Sequence, residues 1–106
     1  MGILDIFKRP DINAEVEEFR NTPGALLADV RGADEYAGGH IPGSVNLPLS
    51  GLGGRKSIGV GKDSPVYVYC LSGARSAQAA AMLRRIGYNN VKNIGGIAGY
   101  KGEVEY

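Results

Sequence analysis

The stretch from Pro65 to Gly87, PVYVYCLSGARSAQAAAMLRRIG, most constrains what this chain can fold into. It opens on a β-type run, Val66-Tyr67-Val68-Tyr69, and arrives at Cys70, the only cysteine of the chain. Leu71-Ser72-Gly73-Ala74 then lead to Arg75, and a strong helix former runs from Ser76 to Ile86. Gly87 stands where a left-handed C-terminal cap belongs. The order is strand, tight loop, helix, with the thiol at the first loop position. In open α/β sheets, ligand sites lie at the carboxyl ends of strands, where helix N-termini aim free N–H groups at anions. A thiol held there is expected to titrate below a free one, because the helix end and Arg75 both favour the thiolate.

The flanking sequence supports the same architecture. Asn13 is the expected N-cap of a first helix, with Glu15 in its first turn and Ile12, Val16 and Phe19 as its apolar stripe. Asn21-Thr22-Pro23-Gly24 ends it. Ala25-Leu26-Leu27-Ala28-Asp29-Val30 is apolar without alternation, which suggests a strand covered on both faces, as in a parallel sheet. Gly32 to Gly39 reads as one helical turn with Tyr36 inward. His40-Ile41-Pro42-Gly43 is a turn, and Ser44 to Leu47 a short strand limited by Pro48. Residues 50–64 carry five glycines and few large apolar residues, so they read as a mobile connection rather than a core element. Val91 to Ile94 is a last strand, and Gly95 to Tyr100 a glycine-rich turn that opens a final helical turn. Strands alternating with helices predict one α/β domain over residues 1–106, with a mostly parallel sheet of about four to five strands and helices on both faces.

Composition narrows the function classes. Twelve basic and 11 acidic residues are spread without long runs, giving a net charge of +1 and no electrostatic reason to expect nucleic acid or an anionic membrane. One cysteine forms no intramolecular disulfide, which fits a reducing cytosol, so a cytoplasmic location is expected. Met1 to Arg9 is too short and too broken for a signal peptide or a membrane span; residues 1–10 read as an N-terminal edge segment, either a short strand or an amphipathic turn. One cysteine and one histidine, His40, make a poor metal-ligand set, and no metal is expected. The glycines of Gly51 to Gly61 match neither common phosphate fingerprint.

Cys70 has two readings. A lone thiol is commonly a buried packing group, but the loop, the arginine and the helix start combine an activated nucleophile with an anion cradle. Arg75 opposes the helix dipole in the first turn, which marks it as a group for an anionic substrate. The hydroxyls of Ser72 and Ser76 either donate to a bound sulfur or oxyanion or simply cap the loop. Gly73 lets the loop N–H groups converge, and Leu71 and Ala74 complete the cradle. Asp29 and Arg31 follow a buried strand, where charges survive only when paired, and are expected to fix loops at the carboxyl edge of the sheet, the Cys70 loop among them. His40 reads as structural, since a thiolate made by electrostatics needs no base.

Asp29-Val30-Arg31 with Glu35-Tyr36, then Gly39 through Pro48, resembles the first signature block of rhodanese domains. Tyr69 to Ser76 resembles their active-site loop, and Gly95-Gly96 to Tyr100 their closing block. Tyr100 stands where many members place Trp, and residues 51–61 are often helical in relatives. The resemblance implies a three-layer rhodanese-like fold and a sulfurtransferase, with Cys70 taking sulfane sulfur from thiosulfate or a similar donor as a persulfide. The acceptor would be cyanide, a thiol or a sulfur-relay protein, and the persulfide on Cys70 makes a separate cofactor unnecessary. A non-catalytic interaction module of the same family is the alternative; such relatives commonly lose the cysteine or the arginine, and this chain has both. Cysteine-dependent phosphatases and arsenate reductases rank third, since their loops usually place five residues between cysteine and arginine, against Leu71 to Ala74 here.

Overall fold

A computed structural model describes residues 10–106. The expectation for the N-terminal segment therefore lies, but for Pro10, outside the described residues. Helix α1 (Ile12–Arg20) is followed by β1 (Leu26–Asp29), α2 (Ala33–Ala37), β2 (Val45–Asn46), β3 (Val66–Cys70), α3 (Ala74–Arg85) and β4 (Val91–Gly96). Short 3-10 turns cover Leu49–Gly51 and Ile97–Gly99. The strands form one four-stranded sheet in the order β2-β1-β3-β4, and every pairing is parallel.

The unalternating apolar runs are explained by two cores, one on each face of the sheet. Ala28 and Val30 of the β1 run, with Val66, Val68 and Cys70 of β3, turn toward α3 and pack with Ala79, Ala80, Leu83 and Tyr88. Leu27, Tyr67 and Tyr69 turn the other way, onto Ile12 and Val16 of α1, with Ile41 and Ile94. Period two on a strand apolar at every position yields two buried faces. Gly87 sits at φ +105°, as its place after the helix requires.

Several local expectations are corrected. The cap of α1 is Asp11, whose carboxylate accepts from the Asn13 N–H at 3.0 Å. Asn13 instead ties α1 to the last 3-10 turn: its Nδ2 donates to the Gly99 carbonyl at 3.0 Å and its Oδ1 accepts from the Lys101 N–H at 2.8 Å. Helix α3 begins at Ala74 rather than Ser76. Residues 50–64 are more than a connection, because Leu52 and Ile58 are buried in the α3-side core. The Tyr88 hydroxyl accepts from the Ile58 N–H at 2.9 Å and donates to the Val60 carbonyl at 3.0 Å, pinning the segment. Tyr36 is half-buried, stacked on His40 with ring centroids 3.6 Å apart.

Candidate active site

Cys70 is the last residue of β3, at the carboxyl edge of the sheet, and only 1% exposed. The chain reverses over Leu71 and Ser72 into Gly73, which caps α3 at φ +107°. That left-handed conformation suits glycine, and it turns the Gly73 N–H back to donate to Cys70 Sγ at 2.9 Å. The Ser76 hydroxyl, fully buried one turn into α3, lies 3.4 Å from the same sulfur. Burial pushes the thiol up; the Ser76 hydroxyl and the N–H groups of Ser76, Gly73 and Ser72 outweigh it and hold Cys70 below the ordinary thiol value. The direction is the one the sequence suggests, but the hydrogen-bonded cradle carries it rather than Arg75.

Arg75 leaves the first turn of α3 and meets Glu35 of α2 in a two-pronged ion pair, Nη1 to Oε1 at 2.7 Å and Nη2 to Oε2 at 3.0 Å. Both side chains are partly exposed. The arginine holds the Glu35 carboxyl down to about 2, aided by the Gly32 N–H. The ion pair with Glu35 in turn favours the charged form of Arg75, with a smaller contribution from Cys70. This bidentate tie leaves Arg75 Nε and the outer hydrogens of both terminal nitrogens free for an anion.

Asp29 and Arg31 form a buried pair at 2.7 Å, and Arg31 also donates to the Gly39 carbonyl at 2.8 Å. Asn46 Nδ2 donates to the carbonyls of Asp29 and Arg31. The pair thus fixes the turns around Gly39 and Asn46. The expected direct tie to the Cys70 loop is absent from its hydrogen bonds; Glu35, a residue of the same signature block, makes that connection through Arg75. His40 is buried in the Gly39 turn, its Nδ1 2.8 Å from the Tyr36 carbonyl.

Two further contributors come from β4 and were not singled out in the sequence. A register shift opposite Val68 to Cys70 brings Gly96 level with Cys70. A Cβ on Gly96 would collide with the Leu71 carbonyl, so only glycine admits the loop at this distance. Asn93 reaches the same loop with its amide, contacting Ser76 Oγ at 2.7 Å and the Gly73 carbonyl at 3.2 Å. A cavity of about 730 Å³ is walled by Leu71, Ser72 and Gly73 together with the start of α1, Asn93, Gly95, Gly96 and the chain from Ala98 on. Cys70 is not among its walls, and its side chain packs on the opposite, α3 face of the sheet. Among the described residues no group of three or more His, Cys, Asp or Glu is placed to hold a metal ion, and no helix is long and apolar enough to cross a membrane.

The arrangement is that of a thiol at a helix N-terminus whose thiolate is favoured, with an arginine in the first turn of that helix. Comparison with known proteins agrees with the geometry. The chain is 43% identical over 91 residues to the uncharacterized protein YqhL of Bacillus subtilis, spanning 84% of this chain and 71% of that one. It is 41% identical over 80 residues to a sulfurtransferase of Allochromatium vinosum, spanning 76% of this chain and 74% of the relative. The solved structure of a rhodanese with anions from E. coli superposes with a TM-score of 0.69 at 33% identity, over 76% of this chain and 96% of that one. The model of the rhodanese-like domain matches residues 13–103, and the chain belongs to that family.

Proposed function

We propose that the protein is a sulfurtransferase in which Cys70 carries the sulfur. The observation that supports this most is the convergence of the Gly73 N–H and the Ser76 hydroxyl on Cys70 Sγ. The thiolate attacks the outer sulfur of thiosulfate, forming a Cys70 S–S bond as the S–S bond of thiosulfate breaks and sulfite leaves. The two electrons of that bond depart with sulfite, and the terminal sulfur of the Cys70 persulfide takes up the negative charge. Cyanide or a thiolate then attacks the terminal sulfur, leaving as thiocyanate or a persulfide and restoring the Cys70 thiolate.

The cradle that favours the thiolate serves the persulfide anion equally, since both place negative charge among the same N–H donors. Arg75 receives the anionic donor on the hydrogens that Glu35 leaves free. Leu71 and Ala74 line the loop, and Ser72 supplies an N–H to the sulfur. The covalent persulfide makes a separate cofactor or metal unnecessary. Sulfurtransferase activity in relatives named for it supports the reading. A sulfur-relay protein is also a compatible partner, because the chain is 34% identical over 99 residues to the putative sulfur carrier protein YrkF of Bacillus subtilis, spanning 53% of its length.

Steady-state kinetics with thiosulfate and cyanide test the proposal. Parallel double-reciprocal lines, and loss of thiocyanate formation in Cys70→Ser, are expected. Intersecting lines with turnover retained in Cys70→Ser would overturn it.

A further inference from the structure

The hydrogen bonds around Ser76 give a part to a residue in neither the loop nor the helix. Ser76 Oγ has one proton and four acceptors around it: Asn93 Oδ1 at 2.7 Å, the Gly73 carbonyl at 3.1 Å, Cys70 Sγ at 3.4 Å and the Gly95 carbonyl at 3.5 Å. Asn93 is equally committed. Its Oδ1 accepts from the Gly95 N–H at 3.1 Å and its Nδ2 donates to the Gly73 carbonyl at 3.2 Å. An N–H at one end and a carbonyl at the other admit only one orientation of the amide, so its oxygen must face the Ser76 hydroxyl. The side chain therefore spans three backbone or hydroxyl groups, two of which belong to residues that meet the Cys70 sulfur.

We propose that Asn93 is a positioning residue for Cys70: its Nδ2 clamps the Gly73 carbonyl and so holds the residue whose N–H donates to the sulfur, while its Oδ1 competes with the sulfur for the single Ser76 proton. Gly73 is the cap of α3 and has no side chain of its own to fix it, so its peptide is steered from outside. Ser76 is oriented by the shortest of its contacts, the one to Asn93. A clamp from β4 also explains why the register shift that levels Gly96 with Cys70 falls just beyond Asn93.

The charged groups on the elements around the loop are Arg75 from α3, Glu35 from α2 paired with it, and the Asp29–Arg31 pair at the end of β1. The charged side chain on β4, Lys92, pairs with Glu15 and Glu18 of α1. Asn93 is neutral, so its removal leaves these charges in place and changes only the hydrogen bonds.

The inference rests on Cys70 being the reactive thiol, and its test reads that thiol directly. The rate of Cys70 alkylation by iodoacetamide is followed against pH for the parent, Asn93→Ala and the near-isosteric Asn93→Leu. Leu refills the volume without the amide and guards against a variant that merely opens a hole. Each variant is also made in a Ser76→Ala background, where no hydroxyl proton is released to the sulfur; there both midpoints are expected to move up by at least half a pH unit, a threefold loss of thiolate below the midpoint, while Leu restores most of any loss in melting temperature. In that background, midpoints equal to or below that of Ser76→Ala alone, in variants that melt cooperatively, would overturn the clamp. With Ser76 intact the upward shift is expected to be smaller, because the freed Ser76 proton turns to the sulfur; an equal shift in both backgrounds would overturn the competition of Asn93 for that proton. Because no sulfur donor is present, a positive result with no persulfide formation would leave the clamp standing and sink the sulfurtransferase reading instead.

Discussion

Two glycine-rich stretches of this chain look alike in sequence and differ in what their glycines do. In the site, Gly73 and Gly96 are demanded by backbone geometry: one by a left-handed cap, the other by the Leu71 carbonyl lying where its Cβ would stand. In the segment 50–64, Gly51 has nothing within 4 Å of the position of a Cβ, and the work falls to Leu52 and Ile58, buried against α3. Glycine content alone therefore says little. In one place it allows two backbones to touch; in the other, Gly54 and Gly59 turn the path around the apolar anchors at φ +83° and +90° with no close contact.

The largest effect that would sharpen this contrast is expected from Gly96→Ala. The loop must shift to admit the methyl, and displacements near 1 Å at a reacting centre cost about a hundredfold in rate. Persulfide formation from thiosulfate, followed in single turnover, should fall by at least that factor, and a rate within threefold of the parent would show that the loop tolerates the contact. Next comes Ile58→Ala, which should lower stability by about 3 kcal/mol, the usual cost of emptying a buried aliphatic position. Its Cys70 alkylation profile should match the parent's in chemical denaturation buffers extrapolated to water. A loss below 0.5 kcal/mol would return the segment to a plain connection.

Smaller still is the expected effect of Arg75→Ala, a rise of about tenfold in the Michaelis constant for thiosulfate with kcat little changed, since the residue touches the incoming anion rather than the sulfur. Unchanged kinetics would remove Arg75 from the site. Its partner gives a pH prediction. Glu35 is held at about 2, below its ordinary value, so the ion pair is present above that range and is lost only as pH falls through about 2. Thiosulfate loading between pH 4 and pH 8 should therefore show no inflection from Glu35, in the parent and in Glu35→Gln alike; an inflection in that range that disappears in the variant would contradict this. The smallest effect belongs to Gly51→Ala, expected to leave melting and activity within error.

The elements that position the thiol were legible because local signals agreed there. The β-branched and aromatic run before Cys70, the alanine-rich segment after Arg75 and the two capping glycines all point to strand, loop and helix. The unalternating run at Leu26 to Val30 announced a strand covered on both faces. What escaped was set by distance. Leu52 and Ile58 are isolated apolar residues in a polar stretch and show no period, so only α3 reveals them as core. Glu35 pairs with Arg75 across forty residues of sequence. Asn93 sits inside an ordinary strand run, and its reach to Gly73 and Ser76 exists only because β4 lies beside β3 with a shifted register. The choice of Asp11 over Asn13 as cap turned on a shift of two positions between two residues of equal capping strength.

The most direct test of the account is the intact mass of the protein after incubation with thiosulfate, with Cys70→Ser as control. The account predicts that the parent gains the mass of one sulfur atom, removable by cyanide, and that the control gains none. An unchanged parent whose Cys70 still reacts with iodoacetamide would contradict it, leaving a stabilised thiolate that does not carry sulfur.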